Sequence, residues 1–132
     1  MNQITKVFTP AEANRMLPLV SRIVRDILAD GRELYALEDV EDADVASDRL
    51  GHLLKDVNCC IHELRQLGCS FKEWDEQLGL VEFPARINGE DVLLCWRSDE
   101  EAVTHYHDLD GSYKRRQPIP ENLLETAAEP TV

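Results

Sequence analysis

The sequence predicts an α+β fold in which a long antiparallel helical hairpin packs on a small antiparallel β-sheet of three or four strands. Three observations predict it: a capped helical pattern that begins at Thr9, a second helical pattern that ends at Gly68, and two alternating apolar runs on either side of Asn88-Gly89. With 132 residues and 43% hydrophobic side chains, the chain is long enough to bury the core of a single domain.

The first helix begins with a capping box. Thr9 occupies the N-cap position, Pro10 the first helical position and Glu12 the third, a pattern in which the two side chains satisfy each other's free backbone N–H groups. Apolar residues then recur at helical spacing to about Leu37. We expect a kink at Pro18, because proline lacks the backbone donor that the helix needs.

The second helix is predicted from about Ala46 to Leu67, with Gly68 as its C-terminal cap and the acidic segment 38–44 as an exposed connection. The connection is short, so the two helices should pack antiparallel. Helices of roughly 42 and 33 Å are longer than strands of about 17–26 Å. Part of the hairpin should therefore overhang the sheet, and we expect a homodimer formed through the helices.

The central β-hairpin spans Leu80–Ile87 and Glu90–Arg97, joined by a two-residue turn at Asn88-Gly89. Its predicted register puts six apolar residues on one face, in the pairs Val81–Trp96, Phe83–Leu94 and Ala85–Val92. Pro84 cannot donate a hydrogen bond to a neighbouring strand. The first strand is therefore at the sheet edge there, or its outer neighbour stops short of Pro84.

Shorter strands are predicted at Cys69–Trp74, before this hairpin, and at Ala102–His107, after it. The chain is expected to be irregular from Gly111 onward. Residues 1–120 then form one domain, with the helical hairpin at about 10–68 and a β-meander at about 69–119. The remaining residues, 121–132, are expected to form a frayed tail.

Composition narrows the classes of function. The formal charge of −12 argues against nucleic-acid and anionic-membrane binding. Nothing at the N-terminus resembles a signal peptide, and no apolar run approaches the roughly 18 residues of a membrane span. The four cysteines lack zinc-ribbon or Cys-x-x-Cys spacing. We therefore expect a soluble cytoplasmic protein with reduced thiols.

The candidate ligand-binding residues are Arg97, His105, His107 and Arg116, which could form an anion pocket. Guanidinium groups suit carboxylates and phosphates, and the two histidines share one face if they lie on a strand. The structural alternative is that the arginines pair with this protein's own carboxylates. A metal site of His105, His107 and Asp108 is a further alternative, in which Asp110 or Glu82 could replace Asp108.

Four segments, taken together, carry a resemblance to a known family: residues 8–18, residues 79–86, Leu94-Cys-Trp-Arg97, and Tyr106-His107 followed by Arg116-Gln-Pro118. In this ordered set the chain resembles an uncharacterised bacterial family, domain of unknown function 2203. The resemblance implies a cytoplasmic bacterial protein with a helical hairpin and a small sheet. It implies no activity, so it identifies no catalytic residue.

The sequence favours a non-enzymatic binding or interaction module that is homodimeric through its helices and also binds an unknown protein partner or small anionic ligand. The alternative is a metal- or anion-dependent enzyme, or a small-ligand sensor, with its site around the Arg97, His105, His107 and Arg116 cluster. The sequence has no glycine-rich phosphate loop and no nucleophile elbow. No cofactor is expected, and a divalent metal belongs only to the alternative.

Overall fold

The computed structural model describes residues 6–73 and 77–126, which form the predicted α+β fold with three α-helices and one antiparallel sheet of five strands. The strands lie side by side in chain order. The helices are α1 (Pro10–Ala36), α2 (Ala43–Leu67) and α3 (Glu121–Thr126), and the strands are β1 (Ser70–Glu73), β2 (Gly79–Ile87), β3 (Glu90–Arg97), β4 (His105–Asp108) and β5 (Gln117–Pro118).

The predicted capping box starts α1. The Thr9 side chain accepts a hydrogen bond from the Glu12 N–H at 3.1 Å, and the Glu12 carboxylate accepts one from the Thr9 N–H at 2.9 Å. The helix continues past Pro18 to Ala36, one residue short of the predicted end. A short 3₁₀ turn, Leu37–Asp39, follows it.

Helix α2 starts at Ala43, three residues before the predicted start. The Asp42 carboxylate accepts hydrogen bonds from the N–H groups of Asp44 and Val45 at 3.0 and 3.1 Å, so the acidic segment supplies the N-cap as well as the connection. The C-terminal cap is Gly68, as predicted, with a left-handed φ of 102° that glycine adopts without steric cost.

The central hairpin has the predicted register at every pair from Leu80–Arg97 to Ile87–Glu90. Asn88 and Gly89 both have positive φ, as a two-residue turn requires. Strand β1 pairs with β2 only as far as Glu82 and so stops short of Pro84. Beyond that point the Phe8 N–H donates to the Pro84 carbonyl oxygen at 2.7 Å and continues the edge.

The sheet differs from the prediction at its far side. Strand β4 begins at His105 rather than Ala102, because Asn14 on α1 forms hydrogen bonds with the backbone of Val103. The Asn14 amide oxygen accepts from the Val103 N–H, and the Asn14 amide nitrogen donates to the Val103 carbonyl oxygen. Strand β5 has only two residues, too few for a sequence pattern. Residues 121–126, expected in the tail, form α3, while Trp74 and residues 127–132 lie outside the described residues.

The core lies between one face of the sheet and the hairpin. The predicted apolar face is fully buried, and Trp96 is only 2% exposed. Among the most completely buried core side chains are Phe8, Val20, Val24, Leu64, Val81, Phe83, Leu94 and Trp96. No helix among the described residues is both long and apolar enough to cross a bilayer.

Candidate functional site

The four predicted ligand-binding residues occupy two places on the sheet. Arg97 and Arg116 meet beside the C-terminal end of β3, where they share one aromatic ring. His105 and His107 lie two residues apart on β4, on the sheet face opposite the helical hairpin, as the period of a strand requires.

The two arginines meet at Tyr113. The guanidinium carbon of Arg116 is 4.3 Å from the centroid of the tyrosine ring, and that of Arg97 is 5.4 Å from it. Both guanidinium groups also donate hydrogen bonds to the tyrosine hydroxyl oxygen. Cation–π attraction and hydrogen bonding together hold the Tyr113–Arg115 turn against β3.

Each guanidinium also has a carboxylate partner. Arg97 binds both oxygens of Asp99, at 2.5 and 2.9 Å, and Arg116 binds both oxygens of Glu100, one of them at 2.9 Å. Burial alone would raise the pKa of Glu100. The hydrogen bonds from the Arg116 side chain and the Arg97 backbone outweigh that effect, so the pKa is lowered. The chain's own carboxylates therefore neutralise both cations.

This cluster also completes the edge of β3. Strand β4 pairs with β3 only as far as Cys95, which leaves the last backbone groups of β3 without a strand partner on that side. The Arg97 N–H donates to the Glu100 carboxylate at 2.8 Å, and the Arg116 guanidinium donates to the Cys95 carbonyl oxygen at 3.3 Å. We call Arg97, Glu100, Tyr113 and Arg116 the β3 clamp, since these side chains take the place of a further strand.

His107 is buried in a different arrangement. Its side chain is 1% exposed, and its Nε2 lies 3.0 Å from the carboxylate of Glu82, which is 6% exposed. Its Nδ1 lies 2.8 Å from the Asp108 carbonyl oxygen. Lys72 reaches the second Glu82 oxygen at 3.3 Å from the surface.

These contacts determine where the protons lie. A carbonyl oxygen only accepts, so His107 Nδ1 carries a proton and donates to Asp108. A second proton lies between Nε2 and the Glu82 oxygen, because that contact is also a hydrogen bond. The pair is then an imidazolium with a carboxylate or an imidazole with a carboxylic acid. In either form, neither ring nitrogen of His107 is free to bind a metal or to act as a base.

His105, the other histidine of the predicted site, forms a hydrogen bond with its sequence neighbour. Nδ1 of His105 lies 2.8 Å from the Thr104 hydroxyl oxygen. In the parts of the chain that the structure describes, no three His, Cys, Asp or Glu side chains are grouped closely enough to hold a metal ion. The geometry therefore gives no support to the metal site of His105, His107 and Asp108.

Cys95 is the buried thiol nearest to the β3 clamp, and it lies directly opposite Glu82 in the sheet. Burial raises the pKa of the thiol to about 11, although the neighbouring charge of Arg116 acts in the opposite direction. The thiol form, which is not the nucleophile, is therefore favoured at neutral pH, and both His107 nitrogens are engaged with Asp108 and Glu82 and not with the thiol.

Sequence reasoning missed two members of the β3 clamp, Tyr113 and Glu100. Their only sequence signals are an aromatic residue three positions before Arg116 and a carboxylate three positions after Arg97. Asn14, which ties α1 to Val103, was missed as well, because a polar residue on a helix face carries no mark of its distant partner.

The comparisons with known proteins add a family. A family model described as an uncharacterized conserved protein, DUF2203, matches residues 6–119, which is most of the chain. No curated protein and no solved structure matches it. Within that matched region, three of the segments that carried the resemblance meet in space: Glu82 contacts His107, and Arg116 contacts Cys95.

Proposed function

We propose that this chain, which belongs to the DUF2203 family of uncharacterised conserved proteins, is a cytoplasmic, non-enzymatic interaction module. In this proposal the chain forms homodimers through its helical hairpin. The family supplies no activity to start from, so the proposal rests on the geometry of the hairpin. The observation that carries it is that both helices have few buried side chains at the end of the hairpin that lies away from the sheet.

The distal hairpin, residues 34–54, receives little cover from the sheet. Beyond Ile27 no residue of α1 is fully buried, and in α2 only Leu53 and Leu64 are. Leu53 lies outside the main core cluster. Large apolar side chains of the distal hairpin are instead 38–56% exposed: Tyr35, Val40, Val45, Leu50 and Leu54.

Two helices by themselves cannot cover these side chains. Each helix of an antiparallel pair buries one stripe against the other, and the flanks of both stripes stay in water. A second hairpin of the same kind would cover the flanks and complete a four-helix bundle, in which the apolar stripes of all four helices face one core. A clustered apolar surface on a soluble domain is typical of an interaction site.

The charge of the distal hairpin predicts how the association responds to salt. This segment has six aspartates and glutamates but only one lysine or arginine, Arg49, which pairs with Glu33 of α1. Two such surfaces repel each other at low ionic strength, and salt screens that repulsion over about 10 Å at 0.1 M. The dimer should therefore tighten as salt is added, since apolar burial remains while the repulsion falls.

The test is sedimentation equilibrium on the full chain and on two double variants. Leu50→Gln/Leu54→Gln removes two leucines of the distal hairpin that are 42% and 46% exposed. Leu19→Gln/Leu109→Gln is the matched control, because those leucines are 40% and 56% exposed elsewhere. We expect a dimer for wild type and control, and a monomer for the distal variant.

A monomeric wild-type chain at micromolar concentration in both low and high salt would refute the proposal. Equal weakening of the dimer by both double variants would also count against it, because the contact would then not lie on the distal hairpin. Far-UV circular dichroism of each variant checks that the helices are retained.

Support for the alternative, a sensor or enzyme around Arg97, His105, His107 and Arg116, is weaker. Internal carboxylates already occupy both guanidinium groups, and His107 is bound to Glu82. An anion at that place would have to displace Asp99 or Glu100 from its arginine.

A further inference from the structure

A groove runs along α1 beside the turn that follows β3. Its smaller part has a volume of about 220 Å³ and its larger part about 390 Å³, and Ser21 and Trp96 line both. We call the smaller part the α1 groove. It lies against the part of α1 that packs on the sheet, and it includes neither the β3 clamp arginines nor any residue of the distal hairpin.

The α1 groove has an apolar floor and a polar rim. Val24, Leu28, Leu78 and Trp96 supply the floor. The rim includes Ser21, Arg25 and Arg32 on α1, and Ser98 and Asp99 after β3. Spacings of three and four residues put Ser21, Arg25, Leu28 and Arg32 on one face of the helix.

The two rim arginines differ from the arginines of the β3 clamp. The structure gives Arg25 and Arg32 no ion pair with any residue that it describes, in contrast to Arg97 and Arg116. Asp99, the carboxylate at this rim, is already held by both oxygens to Arg97. Among the described residues that line the groove, the charge that is not already paired is therefore positive, in a chain whose formal charge is −12.

The Ser98 hydroxyl adds a hydrogen-bond donor on the wall of the groove opposite α1. The Ser98 oxygen accepts a hydrogen bond from the Gly79 N–H at 3.0 Å, which leaves its own O–H free to donate. The β3 clamp also holds the floor of the groove in position, because Trp96 donates from its indole nitrogen to the Glu100 carbonyl oxygen at 2.9 Å while the Glu100 carboxylate is bound to Arg116.

We propose that the α1 groove binds a small organic anion. Its carboxylate or phosphate group is bound by Arg25 and Arg32, and its apolar body lies on Leu28 and Leu78. Guanidinium groups bind both kinds of oxyanion, and the apolar floor selects against inorganic ions. The volume is below the roughly 300–1,000 Å³ of drug-sized pockets, so the ligand is a small metabolite with a single ring or short chain.

The experiment is a titration of the ¹⁵N-labelled full chain with benzoate and with phenyl phosphate, followed by NMR. Saturable shifts are expected for the amides of Leu28, Leu78 and Ser98. Benzyl alcohol has the same apolar body without the charge, and it should bind at least about tenfold more weakly. The stronger of the two anionic probes identifies the oxyanion, carboxylate or phosphate.

Arg25→Gln/Arg32→Gln should weaken binding of the better anion about tenfold, which is about 1.4 kcal/mol. The matched control is Arg15→Gln/Arg22→Gln, which removes the same charge from exposed positions of α1 outside the groove, and its affinity should stay within about twofold. The Leu50→Gln/Leu54→Gln variant should bind as wild type does, so the groove is tested separately from dimerisation.

Three results would overturn the proposal. The first is the absence of saturable shifts at these amides with either anion at millimolar concentration. The second is equal weakening by both arginine variants, which would indicate only general attraction to a charged helix. The third is equal affinity for benzyl alcohol, which would leave an apolar cleft with no preference for anions.

Discussion

The buried pair of Glu82 and His107 gives a quantitative test of how the outer face of the sheet is held together. The two side chains are nearly inaccessible, and they meet at 3.0 Å. Removing one member of such a pair leaves the other buried without its partner, which costs about 3–5 kcal/mol. We expect about 3 kcal/mol for Glu82→Leu and a similar loss for His107→Leu.

The double variant should be far less unstable than the sum of the two losses. Once both polar groups are replaced by apolar ones, neither side chain is left buried without its partner, and the Asp108 carbonyl oxygen, which loses His107, still accepts from the Gly111 N–H at 2.9 Å. We therefore expect a loss of about 3–4 kcal/mol instead of about 6, which is a coupling free energy of about 2–3 kcal/mol. Lys72 contributes little, because its side chain is 61% exposed.

The assay is urea unfolding of the wild type, both single variants and the double variant. Arg86–Asp91 is the matched control: it lies on the central hairpin that also carries Glu82, its atoms meet at 2.9 Å, and its side chains are 58% and 59% exposed. That pair should couple by less than about 0.5 kcal/mol. Additive losses at Glu82 and His107, to within about 0.5 kcal/mol, would refute the reasoning.

Two further predictions concern titratable groups. The pKa of Glu100 in the folded state lies below its ordinary 4.5. The stability that Glu100 contributes is therefore complete above pH 4.5 and is lost as the pH falls through the folded-state pKa. The difference in unfolding free energy between wild type and Glu100→Gln should thus shrink from neutral pH to about pH 3, and a constant difference would contradict this. Iodoacetamide should label the exposed Cys59 first, because burial raises the pKa of Cys69 and Cys95 to about 11. Mass spectrometry of timed samples measures the labelling rate of each cysteine, and equal rates would contradict this.

The parts of the fold that could be predicted depend on short-range chemistry. Asn88-Gly89 permits one tight turn, and the alternation around it permits one register, so every pair of the central hairpin followed. The Thr9–Glu12 capping box is equally local. The start of α2 was misplaced because Asp42 belongs to an acidic run, and its capping role is not apparent from composition alone.

The candidate site was harder to predict, because its contacts are long-range. The pairing of Glu82 with His107 spans 25 residues, and that of Asn14 with Val103 spans 89. The sequence predicted that Arg97, His105, His107 and Arg116 could bind an anion. It could not show that Arg116 is already paired with Glu100, since either role is consistent with an arginine in an acidic chain.

The β3 clamp connects that paired arginine to the proposed ligand. Arg116 holds the Glu100 carboxylate, and the carbonyl oxygen of the same residue accepts from Trp96 at the floor of the α1 groove. Arg116, which does not line the groove, thus helps to position the floor on which the proposed ligand would lie. The anion pocket that the sequence predicts around Arg97 and Arg116 stays a prediction. Arg25 and Arg32, which the further proposal uses, lie on α1 and form no ion pair with any residue that the structure describes. Because α1 also continues into the distal hairpin, one helix carries both the groove and half of the proposed dimer surface.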